Sequence, residues 1–100
     1  MTPSAGEIWL ADRGEETRRL VFVISDSRFQ RLAERAVVAP VLAHVPARLR
    51  PWHIVTGEKR IIAVNLAGTM PTERLLERVD VVVAGDSLVR VRQAGRAIVG

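Results

Sequence analysis

A chain of 100 residues with 48% hydrophobic content supports one small domain with a thin core, so residues 1–100 read as a single domain. It carries 15 Lys and Arg against 11 Asp and Glu, a net charge of +4, which favours an acidic partner, either nucleic acid or an acidic protein. There is no cysteine, and His44 and His53 are the only histidines; a disulfide, a thiol nucleophile and a cysteine-ligated zinc are excluded, and no metal or other cofactor is expected.

The first residues, Met1 to Glu7, lack the basic and apolar parts of a signal peptide. No apolar run approaches the ~18 residues of a membrane span. The expectation is a cytoplasmic protein.

Gly6 to Asp12 reads as a first strand, with Ile8 and Leu10 alternating against Glu7, Trp9 and Ala11. Trp9 is either core on a second face or an exposed, interface aromatic. Residues 13–17 form a charged loop around Gly14. Five apolar residues, Leu20 to Ile24, then follow Arg18 and Arg19 as a buried strand that pairs with the first in a hairpin. Two guanidiniums cannot follow that strand into the core, because an unpaired buried charge costs too much. They stay at the rim, where a planar fork of donors can grip a carboxylate or phosphate. The hairpin brings Glu15 and Glu16 near Arg19, either as an orienting ion pair or as a catalytic carboxylate.

Asp26 is a plausible N-cap for a short helical piece with Phe29 and Leu32 or Ala33 on its apolar side. Ala36 to Ala43 reads as a third strand whose Pro40 marks an edge or a bulge. Residues 44–60 put two prolines and a cluster of basic groups around Trp52, with a short strand near His53–Thr56 turned by Gly57 and Glu58. Such a loop suits single-stranded nucleic acid, where arginine meets phosphate and an indole stacks on a base. The plainer reading is a solvated loop pinned by Trp52. Ile61 to Leu66 reads as a buried strand, Ala67 to Pro71 as a turn, Thr72 to Arg78 as a helical or extended link, and Val79 to Ala84 as a further strand. Leu88, Val91, Gly95 and Ile98 share a helical face behind an Asp86 or Ser87 cap, although Val89 to Arg92 also alternates as a strand would. The sum is a mainly β fold of five or six strands with a C-terminal helix, built as a small curved antiparallel sheet or barrel.

The order of these blocks resembles the MazF/PemK toxins of type II toxin–antitoxin systems, with the CcdB gyrase poisons further off. The blocks are Gly6-Glu7-Ile8-Trp9, Glu15-Glu16, Arg19 to Ser25, Val37 to His44, and Ala63 to Leu66. The resemblance implies a homodimeric, metal-independent, sequence-specific endoribonuclease acting on single-stranded RNA and neutralised by an antitoxin with an acidic tail. In that chemistry the ribose 2′-hydroxyl attacks the adjacent phosphate and leaves a cyclic phosphate. By position Arg19 matches the family arginine, which stabilises the charge that develops. The chain departs from the family at Leu20, where proline is usual, at Leu42, where the family threonine falls, and at Gly68-Thr69, where many members have Arg-Thr. Losing one transition-state hydrogen bond commonly costs ~10²–10³ in rate. The resemblance therefore implies Arg19, Glu15, His44 and Thr69 as catalytic candidates, with His44 or Thr69 supplying what Leu42 lacks. His44 lies two residues past Leu42, so strand alternation would set the two on one face. The residues implied for RNA binding are Arg13, Arg18, Arg48, Arg50, Trp52, Lys59 and Arg60. The alternative is a non-cleaving binder of RNA or antitoxin, or a gyrase poison. The last fits less well, because the C-terminus, Ala97 to Gly100, has no aromatic residue.

Overall fold

The computed structural model describes residues 2–12, 18–57 and 59–99. The apolar runs at the start of the chain become neighbouring antiparallel strands. β1 (Ile8–Asp12) pairs with β2 (Arg18–Val23), with Ile8 opposite Phe22 and Asp12 opposite Arg18. This is the expected hairpin. β3 (Arg35–Pro40) adds to β2. Two short edge strands, β6 (Gly68–Pro71) on β3 and β7 (Leu75–Arg78) on β1, complete a five-stranded sheet in the order β6-β3-β2-β1-β7. β4 (His53–Thr56) and β5 (Arg60–Ala63) form a separate two-stranded antiparallel sheet. Two helices, α1 (Ser27–Ala33) and α2 (Ser87–Val99), complete the fold.

Strand alternation sends side chains to two cores. On one face of the large sheet Ile8, Phe22 and Ala39 pack with Ile54 of β4, Ile62 of β5 and Val91 of α2. On the other face one cluster joins Trp9, Val21, Val38, Leu75 and Met70, so it draws on all five strands. A flat sheet cannot bring both edge strands into one cluster; the sheet curls around it as an antiparallel half-barrel. Trp9, only 2% exposed, belongs to this inner core rather than to an outer surface. Its indole N–H donates to Glu7 Oε1 at 3.1 Å. Burial alone would raise the Glu7 carboxyl, but hydrogen bonds from the Ser4 amide, the Trp9 indole and Arg78 outweigh it and hold it below its ordinary value. Just before β1, Gly6 adopts φ 91° while its N–H reaches Val23 O at 2.8 Å, a backbone state that favours glycine.

Several expected elements changed. Asp26 does cap α1, accepting the Phe29 N–H at 2.9 Å, and this bond lowers its carboxyl. The helix is nonetheless held by a polar residue: Gln30 is buried, accepts from Ser25 and donates to the Pro3 carbonyl at 2.7 Å, while Leu32 is 88% exposed. Pro40 marks a local edge rather than a bulge, paired with β2 on one side and with no strand on the other. It ends a central strand, at a point β6 does not reach. β5 stops at Ala63, where β4 runs out, and Val64–Leu66 turns as a 3₁₀ helix that leaves Leu66 exposed. Residues 68–71, expected as a turn, pair with β3. Residues 79–84, expected as a strand, pair with nothing in a ladder: Val79 N–H goes to Ile8 O, and Val81 N–H turns back to Val79 O. Past Val79 the chain leaves the large sheet, and Val79, Val81 and Val83 join no strand. They pack against the first core instead. α2 forms as expected, and two of its arginines act as anchors: Arg92 donates to Ile24 O at 2.9 Å and Arg90 to Val55 O at 3.3 Å.

Candidate functional site

Several chain segments converge on one rim. β1 ends there at Asp12, β2 begins there at Arg18, and the turn joining β4 to β5 closes there before Arg60. Arg18 and Arg19 are both exposed, as the cost of burying a guanidinium requires. Arg19 has the parity of Val21 and Val23, so it leaves the sheet on the face of the inner core. Among the described residues it has no hydrogen-bond or ion-pair partner. Its fork of donors is therefore open to an anion.

The chain leaving β3 crosses this rim. Val41 N–H donates to Leu20 O at 3.0 Å, Val41 bridges Ile62, and Leu42 N–H donates to Ile61 O at 2.8 Å. Leu42 thus lies between β2 and β5. The β2–β3 ladder ends at Val21 opposite Pro40; beyond it the Val41 N–H still reaches Leu20 O, next to Arg19 in the chain. Arg60 stands one residue before Ile61, and Lys59 precedes it in a left-handed turn with φ 58°. The half-buried Leu42 therefore lies between the strand that begins with the exposed Arg18 and Arg19 and the strand that begins with Arg60 after the exposed Lys59. Such a rim can hold a phosphate diester, with several cations sharing its charge.

The remaining candidates lie elsewhere. His44 is exposed where the chain bends at residues 43–44. The regular strand has already ended at Pro40, so alternation does not set His44 on the face of Leu42, and that expectation is corrected. Thr69 sits on β6 opposite Val37, five positions along β3 from Leu42. At ~3.3 Å per residue that is roughly 17 Å. Its hydroxyl does not share a phosphate with Arg19. Instead Thr69 Oγ1 accepts from Arg35 Nε at 3.0 Å and Thr69 O accepts from Arg35 Nη2 at 3.1 Å. Arg35 was invisible as a partner because the two residues lie 34 apart in the chain. Between Thr69 and Val21 lies a recess of about 80 Å³ walled also by Val38, Pro40, Gly68 and Met70.

The basic, aromatic loop is divided in two. Lys59 and Arg60 join the Arg19 rim, whereas Arg50 and Trp52 stand at the other end of β4, about 10 Å away at ~3.3 Å per residue. Trp52 is half-buried, packs against the first core and borders a groove of about 570 Å³ with Pro51, Asn65, Ala94, Ala97 and Ile98. Arg48 is exposed. Arg13 and Glu15 lie outside the described residues. His53, which the sequence reading passed over, bonds Arg50 from both sides: its Nδ1 accepts the Arg50 N–H at 3.0 Å and its own N–H donates to Arg50 O at 2.9 Å. A proline one residue after Arg50 was the available sequence signal for that turn. Among the described residues, no group of three or more His, Cys, Asp or Glu is placed to hold a metal ion, and no helix is long and apolar enough to cross a membrane.

No protein-family model matches the chain, and no curated protein does. Solved structures do. A chain of the MazE–MazF complex from Deinococcus radiodurans superposes with a TM-score of 0.80 at 21% identity, covering 100% of this chain and 97% of that one. An endoribonuclease in complex with its cognate antitoxin, from Mycobacterial species, gives 0.81 at 15% identity over 98% and 95% of the two chains. A further endoribonuclease from Mycobacterial species gives 0.81 at 13% identity over 100% and 93%. At these identities the likeness establishes the fold, which is that of the MazF toxins.

Proposed function

We propose that this chain is the toxin of a type II toxin–antitoxin pair, a metal-independent endoribonuclease that cuts single-stranded RNA at specific sequences. The observation that carries the reading is Arg19: an exposed guanidinium, without a partner among the described residues, at a strand rim of a fold shared over the full length of the chain with endoribonucleases. The ribose 2′-oxygen attacks the adjacent phosphorus while the bond to the 5′-oxygen breaks. The 2′-hydroxyl gives up its proton, the leaving 5′-oxygen gains one, and a 2′,3′-cyclic phosphate remains. The negative charge that develops on the phosphoryl oxygens is what Arg19 stabilises, with Arg18, Lys59 and Arg60 holding the flanking backbone. Leu42 offers no donor at this point. Catalysis is expected to be slower by ~10²–10³ than with a hydroxyl there.

Leu42 also favours a second reading, a non-cleaving binder that keeps the RNA and antitoxin surfaces. In both, the partner is an antitoxin whose acidic tail occupies the Arg19 rim; that an antitoxin is the partner is supported by the similar Mycobacterial endoribonuclease, which is in complex with its cognate antitoxin. A homodimer is supported by Leu66, Ile98 and Val99, apolar and 61%, 47% and 88% exposed. The protein is expected in the cytoplasm, where its RNA is.

The test is cleavage of mixed-sequence single-stranded RNA in EDTA, with the cut ends mapped. Cyclic-phosphate ends that vanish with Arg19→Ala support the nuclease. Binding of RNA without cuts supports the binder. If RNA neither binds nor is cut, both readings fail.

A further inference from the structure

We propose that His53 is a positioning residue: its neutral imidazole fixes the backbone of Arg50 and thereby sets Arg50 and Trp52 to meet RNA. The inference rests on the reading above that single-stranded RNA is the ligand.

Arg50, Pro51, Trp52 and His53 form a tight turn. Its closing bond runs from His53 N–H to Arg50 O, at 2.9 Å. Pro51 stands at the second position, where its fixed φ presets the bend. A turn of this kind normally leaves the first residue's N–H to solvent. Here that N–H is taken by His53 Nδ1 at 3.0 Å. Both backbone polar groups of Arg50 are thus tied to one residue. His53 is itself anchored, as the first residue of β4 and opposite Ala63 in the small sheet. The middle of the turn is held too: Trp52 O accepts the Val64 N–H at 3.1 Å, and the Trp52 and His53 rings meet edge to face with centroids 6.1 Å apart.

The chemistry of the bond dictates the state of the ring. An Nδ1 that accepts must carry a lone pair, so the proton sits on Nε2. The side chain itself has no need to touch RNA. It converts the rigidity of β4 into a fixed backbone from which the exposed Arg50 side chain departs, and a fixed edge for the Trp52 indole. Side chains that must stack on a base and bind a phosphate together lose less entropy when their backbone is already ordered.

Asparagine distinguishes this role from a merely structural one, because its Oδ1 can stand where Nδ1 stands and accept the same N–H. His53→Phe keeps a ring and loses the acceptor; His53→Ala loses both and serves if the phenylalanine variant does not fold. Two quantities are measured: amide hydrogen exchange at Arg50, and affinity for a labelled mixed-sequence single-stranded RNA. We expect His53→Phe to lose protection at Arg50 and to bind RNA about five- to ten-fold more weakly. His53→Asn restores both. In an Arg50→Ala, Trp52→Ala background, His53→Phe then changes RNA affinity no further.

The proposal is overturned if His53→Phe frees the Arg50 amide yet binds RNA like the wild type, or if Arg50 stays protected without the imidazole. A further loss of affinity in the double-substituted background overturns it as well, since His53 would then touch RNA directly. In each of these cases the wild type still binds RNA and the proposed function stands. If the wild type binds no RNA, that function has failed, and this inference fails with it.

Discussion

Replacing Thr56 with valine removes one oxygen and changes little in shape, yet it is expected to be among the costlier changes in the chain. Thr56 ends β4 beside the rim turn, and Ser87 opens α2; they are 3% and 0% exposed. Their hydroxyls lie 2.6 Å apart, and Thr56 Oγ1 also accepts the Ala84 N–H at 3.0 Å. Valine leaves two groups without their partner. The Ser87 hydroxyl has no access to water, so its cost is that of a buried unsatisfied group, about 1–3 kcal/mol. The Ala84 amide is only part-buried, and solvent covers some of its loss. Together the expected destabilisation is about 2–3 kcal/mol, a large share of the ~5–15 kcal/mol of a small domain. Ser87→Ala alone leaves Thr56 still paired with Ala84 and costs about 1 kcal/mol. The double variant removes both hydroxyls, so nothing is stranded except the amide. It is expected to be no less stable than Thr56→Val alone. Urea unfolding followed by tryptophan fluorescence measures this through the midpoint at constant slope. A double variant that loses the full sum of the two singles would refute the pairing.

Gly57→Ala tests the packing of the irregular segment against the rim turn. A Cβ there would sit 2.7 Å from the Val82 carbonyl oxygen, a backbone atom that cannot rotate away. A loss of about 1–3 kcal/mol is expected; a neutral or stabilising result in the same urea assay would show that the segment yields freely. Glu7 tests the electrostatics of the first strand. Its folded carboxyl titrates below its ordinary value of 4.5, so the stability it contributes is present above that value and is lost as pH falls through the lower, folded one. Wild type should therefore exceed Glu7→Gln above pH 4.5, with the gap closing as the pH falls below it. A gap that does not change with pH would remove the charged hydrogen bonds from the account.

What the sequence determined by itself is whatever depends on neighbours within a turn or two. Apolar runs set β1, β2 and the small strand at His53–Thr56, side-chain chemistry set the Asp26 cap, and a helical stripe set α2. The desolvation cost of a guanidinium was enough to keep Arg18 and Arg19 at the rim. Pairing was decided elsewhere. Whether a stretch becomes a strand depends on where the tertiary structure delivers it, so the valine-rich residues 79–84 pack against the first core without a ladder while the unpromising Gly68–Pro71 gains one on β3. The same limit applied to the site. Only the pairing set Val41 and Leu42 between β2 and β5, moved Thr69 away to Arg35, and separated Arg50 and Trp52 from Lys59 and Arg60. Side-chain type is local information, whereas which side chains meet is settled by hydrogen bonds between strands far apart in the chain.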